Sequence, residues 1–280
     1  MKKNKKIAVL YHNKCDDGFG AAWVAWKKFG DKAEYIGVTH GDPPPKNLRG
    51  KDVYILDFCY PKDILKEFLE ITKSLTVIDH HISMKEAVES IPHHLFEPTK
   101  HSGIMLTWLY FFPKKKVPKL ISYVEAQDLW RFLPFTKELT ASLRMKKRDF
   151  KIWNKILSDW ESKAKIKKYI EEGALILKYE DDLVKEAVED AEIVEFEGYK
   201  TLAVNSRNQV SKIGAEIYAK FPPIAIIWSE RGGKIIVSLR ANRKVDVSKL
   251  AAKYGGGGHK NSAAFRLEAG QKLPWKIVKK

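Results

Sequence analysis

The sequence predicts an α/β fold, a mainly parallel sheet followed by a smaller α+β domain, and three observations carry that prediction. In the first half, short apolar runs alternate with helical patterns, as βαβ units require. Three of those runs end abruptly in ligand-type side chains: Ile7 to Tyr11 in His12, Val53 to Leu56 in Asp57, and Leu75 to Ile78 in Asp79, His80 and His81. From about Ala191 the pattern changes to closely spaced strands with one helix among them. Open α/β sheets bind ligands beyond the carboxyl ends of their strands, so the residues that end these runs are the first functional candidates.

Taken in order, strand Ile7 to His12 leads through Asp16-Asp17-Gly18 into a helix over Ala21 to Phe29. A strand over Tyr35 to Val38 precedes His40-Gly-Asp-Pro-Pro-Pro45, whose prolines force an extended loop. Strand Val53 to Phe58 passes into a helix from Pro61, since proline suits a first helical turn. Strand Leu75 to His81 follows. His40, His93 and His94 fall in loop-like stretches without acid partners at ligand spacing and read as surface histidines.

Beyond His101-Ser-Gly103 come a helix over Ile104 to Phe112 and another from Pro118 into Glu125-Ala-Gln-Asp-Leu-Trp130. Trp23, Trp26 and Trp108 sit at helix positions and are most simply core. Trp130, next to Asp128, is placed to flank a site. From Phe150 to Asp190 the pattern is helical and charged, with Trp153, Ile156, Leu157 and Trp160 spaced as a buried face. Lys114-Lys-Lys116 and Lys146-Lys-Arg148 read as solvated turns. The last part holds strands Ile193 to Phe196, Thr201 to Asn205, Ile224 to Ser229 and Ile235 to Arg240, with a helix near Ile213 to Lys220. A short helical segment, Val247 to Lys253, precedes Gly255-Gly-Gly-Gly-His259, which interrupts this domain. The expected division is 1–150, a helical connector 151–190, and 191–280.

Composition narrows the class. At 280 residues, 44% hydrophobic and 11% aromatic, the chain buries a good core and has room for two domains, which excludes a disordered protein. The apolar run after the basic N-terminus stops at His12, too short for a secretory h-region, and no stretch approaches membrane-spanning length. The expectation is a cytoplasmic protein with no membrane association. Two cysteines, Cys15 and Cys59, both beside strand ends, fit a reduced compartment better than a disulfide. A net charge of +16 points to an anionic partner such as nucleic acid or polyphosphate. The excess is lysine scattered along the whole chain, so it names no particular groove.

Divalent ions such as Mn²⁺ or Mg²⁺ take carboxylates and imidazoles converging from several elements. His12, Asp17, Asp57, His80 and Asp128 supply such a set from four segments. Mixed oxygen and nitrogen ligation with little thiolate suits Mn²⁺ better than structural Zn²⁺, and no Cys–Cys pair stands at zinc-finger spacing. Four glycines before His259 allow backbone N–H groups to approach a phosphate closely. With Lys260 adjacent, and Arg240 offering a bidentate fork at a strand end, a phosphate pocket outweighs a plain linker.

These residues resemble a known family. His12-Asn-Lys-Cys-Asp-Asp-Gly-Phe-Gly-Ala-Ala-Trp23, Leu56-Asp-Phe-Cys-Tyr-Pro61, Val77-Ile-Asp-His-His81, Gln127-Asp-Leu-Trp130 and Gly255-Gly-Gly-Gly-His259 look like the successive motifs of the DHH phosphoesterases, in the family's order and over most of the chain. Gly41-Asp-Pro-Pro-Pro45 and His101-Ser-Gly103 look like those of its uncharacterised oligoribonuclease-like members. The resemblance implies a DHH domain, a smaller DHH-associated domain and an active site in the cleft between them. It implies His12, Asp17, His80 and Asp128 as metal ligands, Asp57 as a bridging carboxylate, and His81 facing the scissile phosphate. Arg240, Gly256, Gly257, Gly258, His259 and Lys260 would hold substrate from the second domain. The cofactor implied is Mn²⁺, or Mg²⁺ or another divalent ion, one or two per chain.

Three departures stand out. Cys15 occupies a place where many members carry an acid, which leaves open a thiolate ligand, substitution by Asp16, or one weak metal site. Cys59 replaces a common serine, and Ala264 replaces a common glycine before Phe265. The expected function is metal-dependent hydrolysis of short single-stranded oligonucleotides or dinucleotides by a metal-bound hydroxide. The alternatives are a polyphosphatase or other phosphoanhydride hydrolase, and a catalytically impaired nucleotide-binding protein. No stable protein partner is evident, and a homodimer stays open.

Overall fold

The computed structural model describes residues 5–13, 15–39, 42–242 and 244–279. His40, expected at the surface, lies outside them, as do Lys14 and Gly41 of the quoted motifs. The chain divides into two compact units, Met1–Ile176 and Leu177–Lys280.

The first unit is built on a five-stranded sheet of β1 (Ile7–His12), β2 (Ala33–Val38), β3 (Asp52–Leu56), β4 (Ser74–Asp79) and β5 (His93–Phe96), in the order β2-β1-β3-β4-β5. Every neighbouring pair is parallel. The crossovers are α1 (Asp16–Phe29), α2 (Lys62–Ile71) and α3 (Lys85–Glu89). Alternation within each strand sorts side chains to two faces. Leu10, Ile55 and Val77 pack with Leu65, Phe68 and Val88 of α2 and α3. Val9, Leu56 and Ile78 pack with Ala21 and Ala25 of α1 and with Leu106.

Leu106 belongs to α4 (Gly103–Phe111), which starts a helical layer completed by α5 (Lys119–Asp128), α6 (Thr136–Arg144), α7 (Phe150–Glu161) and α8 (Lys163–Glu189). Trp23, Trp108, Trp153 and Trp160 are buried in its core. The unit boundary falls inside α8, and α7, expected in a connector, packs into the first unit's core. Among the described residues, no helix is long and apolar enough to cross a membrane.

Some expectations are corrected. His93 and His94 are exposed, but they open the parallel edge strand β5 rather than a loop. The Lys146-to-Arg148 turn is not simply solvated: Lys146 pairs with Glu172 and Arg148 with Asp16. Helix α6 had no expectation at all; its apolar face is short and its start, after a left-handed Phe135, carries no polar cap to announce it.

The second unit holds β6 (Glu192–Phe196), β7 (Tyr199–Asn205), β8 (Ile224–Arg231), β9 (Lys234–Ala241), β10 (Gly257–His259), β11 (Ser262–Glu268) and β12 (Lys276–Lys279). Their order is β10-β11-β9-β8-β7-β6-β12. All pairs are antiparallel except β7 and β8, which are joined by α9 (Val210–Lys220). Helix α9 covers one face through Ile213 and Ile217, and α10 (Val247–Ala252) joins the core on the other. The glycine run does not interrupt this domain. It turns at Gly255 and becomes edge strand β10, where a Cβ on Gly256 would meet the Ala264 carbonyl oxygen at 2.2 Å.

Candidate metal centre

Strand order reverses between β1 and β3, since the chain leaves β1 toward β2 on one side and continues from β3 on the other. Crevices beyond the carboxyl ends of strands at such a point are where open α/β sheets take ligands. His12 is the last residue of β1, Asp57 directly follows β3, and Asp79, His80 and His81 end or follow β4.

Asp57 is the centre of the cluster. It is 1% exposed and adopts φ 62°, a left-handed conformation uncommon for a non-glycine residue, with its N–H held by the Ile78 carbonyl. Strain of this kind concentrates at functional sites. Its two carboxylate oxygens are buried without a hydrogen-bond partner. His12 Nδ1 lies 3.4 Å from Oδ2 and His80 Nε2 lies 3.2 Å from Oδ1. Burial pushes Asp57 up, but the flanking His12 and His80 more than offset it and hold the group at about 2. His12 is raised in return, chiefly by Asp57.

His80 Nε2 also stands 3.6 Å from Asp17 Oδ2 and 3.7 Å from Asp128 Oδ2. Asp17 is locked in place, accepting from Ser102 Oγ at 2.7 Å, Gly103 N at 2.6 Å and Ile104 N at 2.9 Å. It thereby caps the N-terminus of α4 from another helix, because Ser102 makes no side-chain cap of its own. Glu125 Oε2 accepts from Ser102 N at 3.1 Å and lies 3.2 Å from His101 Nδ1, which fixes the segment that holds Asp17. Burial, then repulsion from Asp57 and Asp128, pushes Asp17 well above the usual carboxylate range. Asp128 is also raised, first by burial.

Three crowded carboxylates with two unpaired oxygens are a donor set that a cation relieves. Ligand atoms of His12, Cys15 and Asp57 lie within 4.8 Å of one another, as do those of Asp57, His80 and His81 and those of Asp17, His80 and Asp128. The first and last groups share no residue, and Asp57 belongs to two of the three. Cys15, not Asp16, faces the cluster. Asp16 Oδ1 is instead held by Arg148, with Nη2 at 2.8 Å and Nε at 3.2 Å. Burial, then the Asp57 charge, pushes the Cys15 thiol up to about 11, so it takes a strongly bound cation to make it a thiolate. Cys59 is pushed to about 12 by burial and donates to the Tyr60 carbonyl, an inert packing thiol.

His81 points differently from His80. Its Nδ1 lies 2.7 Å from Asp79 Oδ1, and the same oxygen accepts from His80 N and His81 N. Asp79 is fully buried, and its bond raises His81. Asp79, Ser102, Gly103 and Glu125 thus position the cluster; Asp79 was a candidate from its place at a strand end, whereas Ser102, Gly103 and Glu125 were given no site role from sequence. The adjacency of Asp79 to the imidazoles and the His101-Ser-Gly103 motif were the available signals.

In the second unit, register brings the anion-binding candidates together. Arg240 on β9 pairs with Ser262 on β11, which pairs with His259 on β10, so the three side chains form one row on one face. Arg240 is half-buried and its guanidinium donates to the Leu239 carbonyl, while His259 and Lys260 are exposed. The backbone of Gly256 to Gly258 lies against β11 beside this row.

Residues 199–275 match the DHHA1 domain family. An uncharacterized protein of Acanthamoeba polyphaga mimivirus is 29% identical over 94% of this chain and 68% of its own length. Among solved structures, the DHH domain of a member of a family of ribosomal proteins superposes with a TM-score of 0.55 at 13% identity, covering 93% of this chain and 82% of that one. The pGpG-specific phosphodiesterase PggH of Vibrio cholerae superposes with a TM-score of 0.53 at 17% identity, covering 94% of each. The match over 199–275 assigns that segment to the DHHA1 domain family, and the chain shares the fold of these solved structures, in agreement with the order of its motifs.

Proposed function

We propose that the chain is a metal-dependent phosphodiesterase that hydrolyses short single-stranded oligonucleotides or dinucleotides. The observation that carries this reading is the convergence of His12, Cys15, Asp17, Asp57, His80 and Asp128 at the switch point, around a carboxylate whose oxygens have no other partner. His12, Cys15 and Asp57 would hold one divalent ion, Mn²⁺ in preference to Mg²⁺ on this mixed donor set, and Asp17, His80 and Asp128 a second, with Asp57 between them. Such ions, when bound, neutralise charge on phosphoryl oxygens and favour attack by water.

The chain's own groups do the rest. Asp79 fixes the His81 ring through Nδ1 and favours its protonated form, which leaves Nε2–H to donate to a phosphoryl or leaving oxygen. Ser102, Gly103 and Glu125 keep Asp17 from moving as charge changes beside it. The row of Arg240, Ser262 and His259, with Lys260 beside it, binds a substrate phosphate. The V. cholerae phosphodiesterase among the structural neighbours supports a nucleotide substrate, and the net charge of +16 suits a polyanion of either kind.

The test is hydrolysis of a ribodinucleotide, a longer single-stranded oligomer, a cyclic dinucleotide and polyphosphate, with Mn²⁺ and with chelator, by wild type and Asp57→Ala. Cleavage of a nucleotide substrate that both chelator and the substitution abolish is the expected result. Nucleotide binding without turnover of any substrate refutes catalysis, and turnover of polyphosphate alone refutes the substrate class.

A further inference from the structure

Beside the candidate metal centre, and lined by the first unit alone, is a cavity of about 590 Å³. Its walls are Pro43, Pro44, Phe58, Tyr60, Ile64 and Met84, and one end is formed by His12, Asp57 and His81. Volume and lining are those of a small-molecule site: mostly apolar, with a few polar groups at the edge. The walls are also fixed. Phe58 and Tyr60 meet edge to face at 5.2 Å, and Tyr60 rests on Phe68 at 5.5 Å. The prolines restrict the backbone opposite, and Asp42 Oδ2 accepts from Thr39 N at 2.7 Å.

We propose that this cavity receives the nucleobase of the nucleotide whose phosphate lies at the metal centre, so that the first unit reads base as well as phosphate. The proposal rests on the phosphodiesterase reading and narrows its substrate class. His12, Asp57 and His81 belong to both the cluster and the cavity, so its occupant is the group bonded to the reacting phosphate. A flat ring packs well between prolines and aromatic faces, and Asp42, Thr39 and Ser83 at the edge offer acceptors and hydroxyls to its polar rim. A polyphosphate chain, charged along its whole length, gains nothing from such walls.

The experiment compares a ribodinucleotide with the same compound lacking the base on one nucleotide, in Mn²⁺, as a ratio of kcat/KM. Wild type should favour the complete substrate about tenfold or more, the scale of base–aromatic stacking. Ile64→Trp fills the cavity from α2, and Ser83→Tyr fills it from an exposed position that does not endanger folding. Both should bring the ratio toward one, while Lys66→Trp, exposed on α2 and outside the cavity, keeps the wild-type ratio. A wild-type ratio near one, or a ratio that survives both filling variants, overturns the proposal. Turnover of bis(p-nitrophenyl) phosphate by wild type reports separately on the phosphoesterase reading. Should that fail, equilibrium dialysis in chelator still decides: AMP held no tighter than ribose 5-phosphate overturns the cavity's role, and tighter binding of AMP that Ser83→Tyr removes supports it.

Discussion

Gly103→Ala tests whether the cluster is as tightly built as the geometry states. A Cβ on Gly103 would stand 2.5 Å from Asp57 Oδ1, 2.6 Å from Asp57 Cβ and 2.8 Å from its Cγ. Comfortable contacts lie near 3.5–4.0 Å, so Asp57 or the start of α4 must shift by about 1 Å. Asp57 has little room to retreat. A Cβ on Gly18 would already come within 3.0 Å of Oδ2, and its own backbone is pinned at φ 62°. Shifting α4 instead pulls Gly103 N from Asp17 Oδ2. Overpacking costs about 1–3 kcal/mol, and alanine returns at most about 1 kcal/mol as the better helix former. From the middle of that range, the net loss is about 1 kcal/mol, or roughly 2–4 °C in Tm for a unit of this size. Because Asp17 and Asp57 are displaced together, Mn²⁺ affinity should fall about 10- to 100-fold, the usual cost of disturbing groups that orient ligands. Thermal unfolding in chelator and calorimetric titration with Mn²⁺ measure the two effects. If the variant keeps both the wild-type Tm and the wild-type affinity, the close approach of α4 to Asp57 is not part of the site.

Two further outcomes are expected. Asp128 is raised by burial and by Asp57, which means that its charge destabilises the metal-free fold near neutral pH; Asp128→Asn should therefore raise Tm in chelator while shrinking the Tm gain that Mn²⁺ confers on wild type, and a lower Tm in chelator would contradict this. In the helical layer, the Lys155 bond, then Lys165 and Tyr169, hold Asp159 at about 2 despite burial. Its folded value lies below the unfolded value of about 3.9, so its contribution is complete above that pH and is lost as pH falls toward 2. Asp159→Asn should lower Tm at pH 7 and flatten its decline through this window, as scanning calorimetry from pH 7 to 2.5 would reveal.

Periodicity alone revealed the parallel strands of the first unit, because a strand buried on both faces leaves a continuous apolar run that few other elements produce. The same runs ended in His12, Asp57 and Asp79-His80-His81, so the donors and the sheet edge that presents them were legible together. Two of the edge strands were not. His93 to Phe96 opens with two exposed histidines, and Gly257 to His259 carries no apolar residue, so neither has a pattern to read.

What the chain order could not contain is which side chain turns inward. Cys15 and Asp16 are adjacent, and local sequence offers no reason to prefer one; Arg148, which takes Asp16 away, comes 132 positions later. Asp17 likewise owes its fixed orientation to Ser102 and Gly103, 85 and 86 positions on. Sequence by itself determined the α/β class, the donor types and the strand ends that carry them, because these follow from residue chemistry and short-range periodicity. The tertiary structure decided the partners of each donor, the row of Arg240, Ser262 and His259, and the aromatic cavity, because hydrogen bonds and packing between distant segments depend on how the elements are brought together in space.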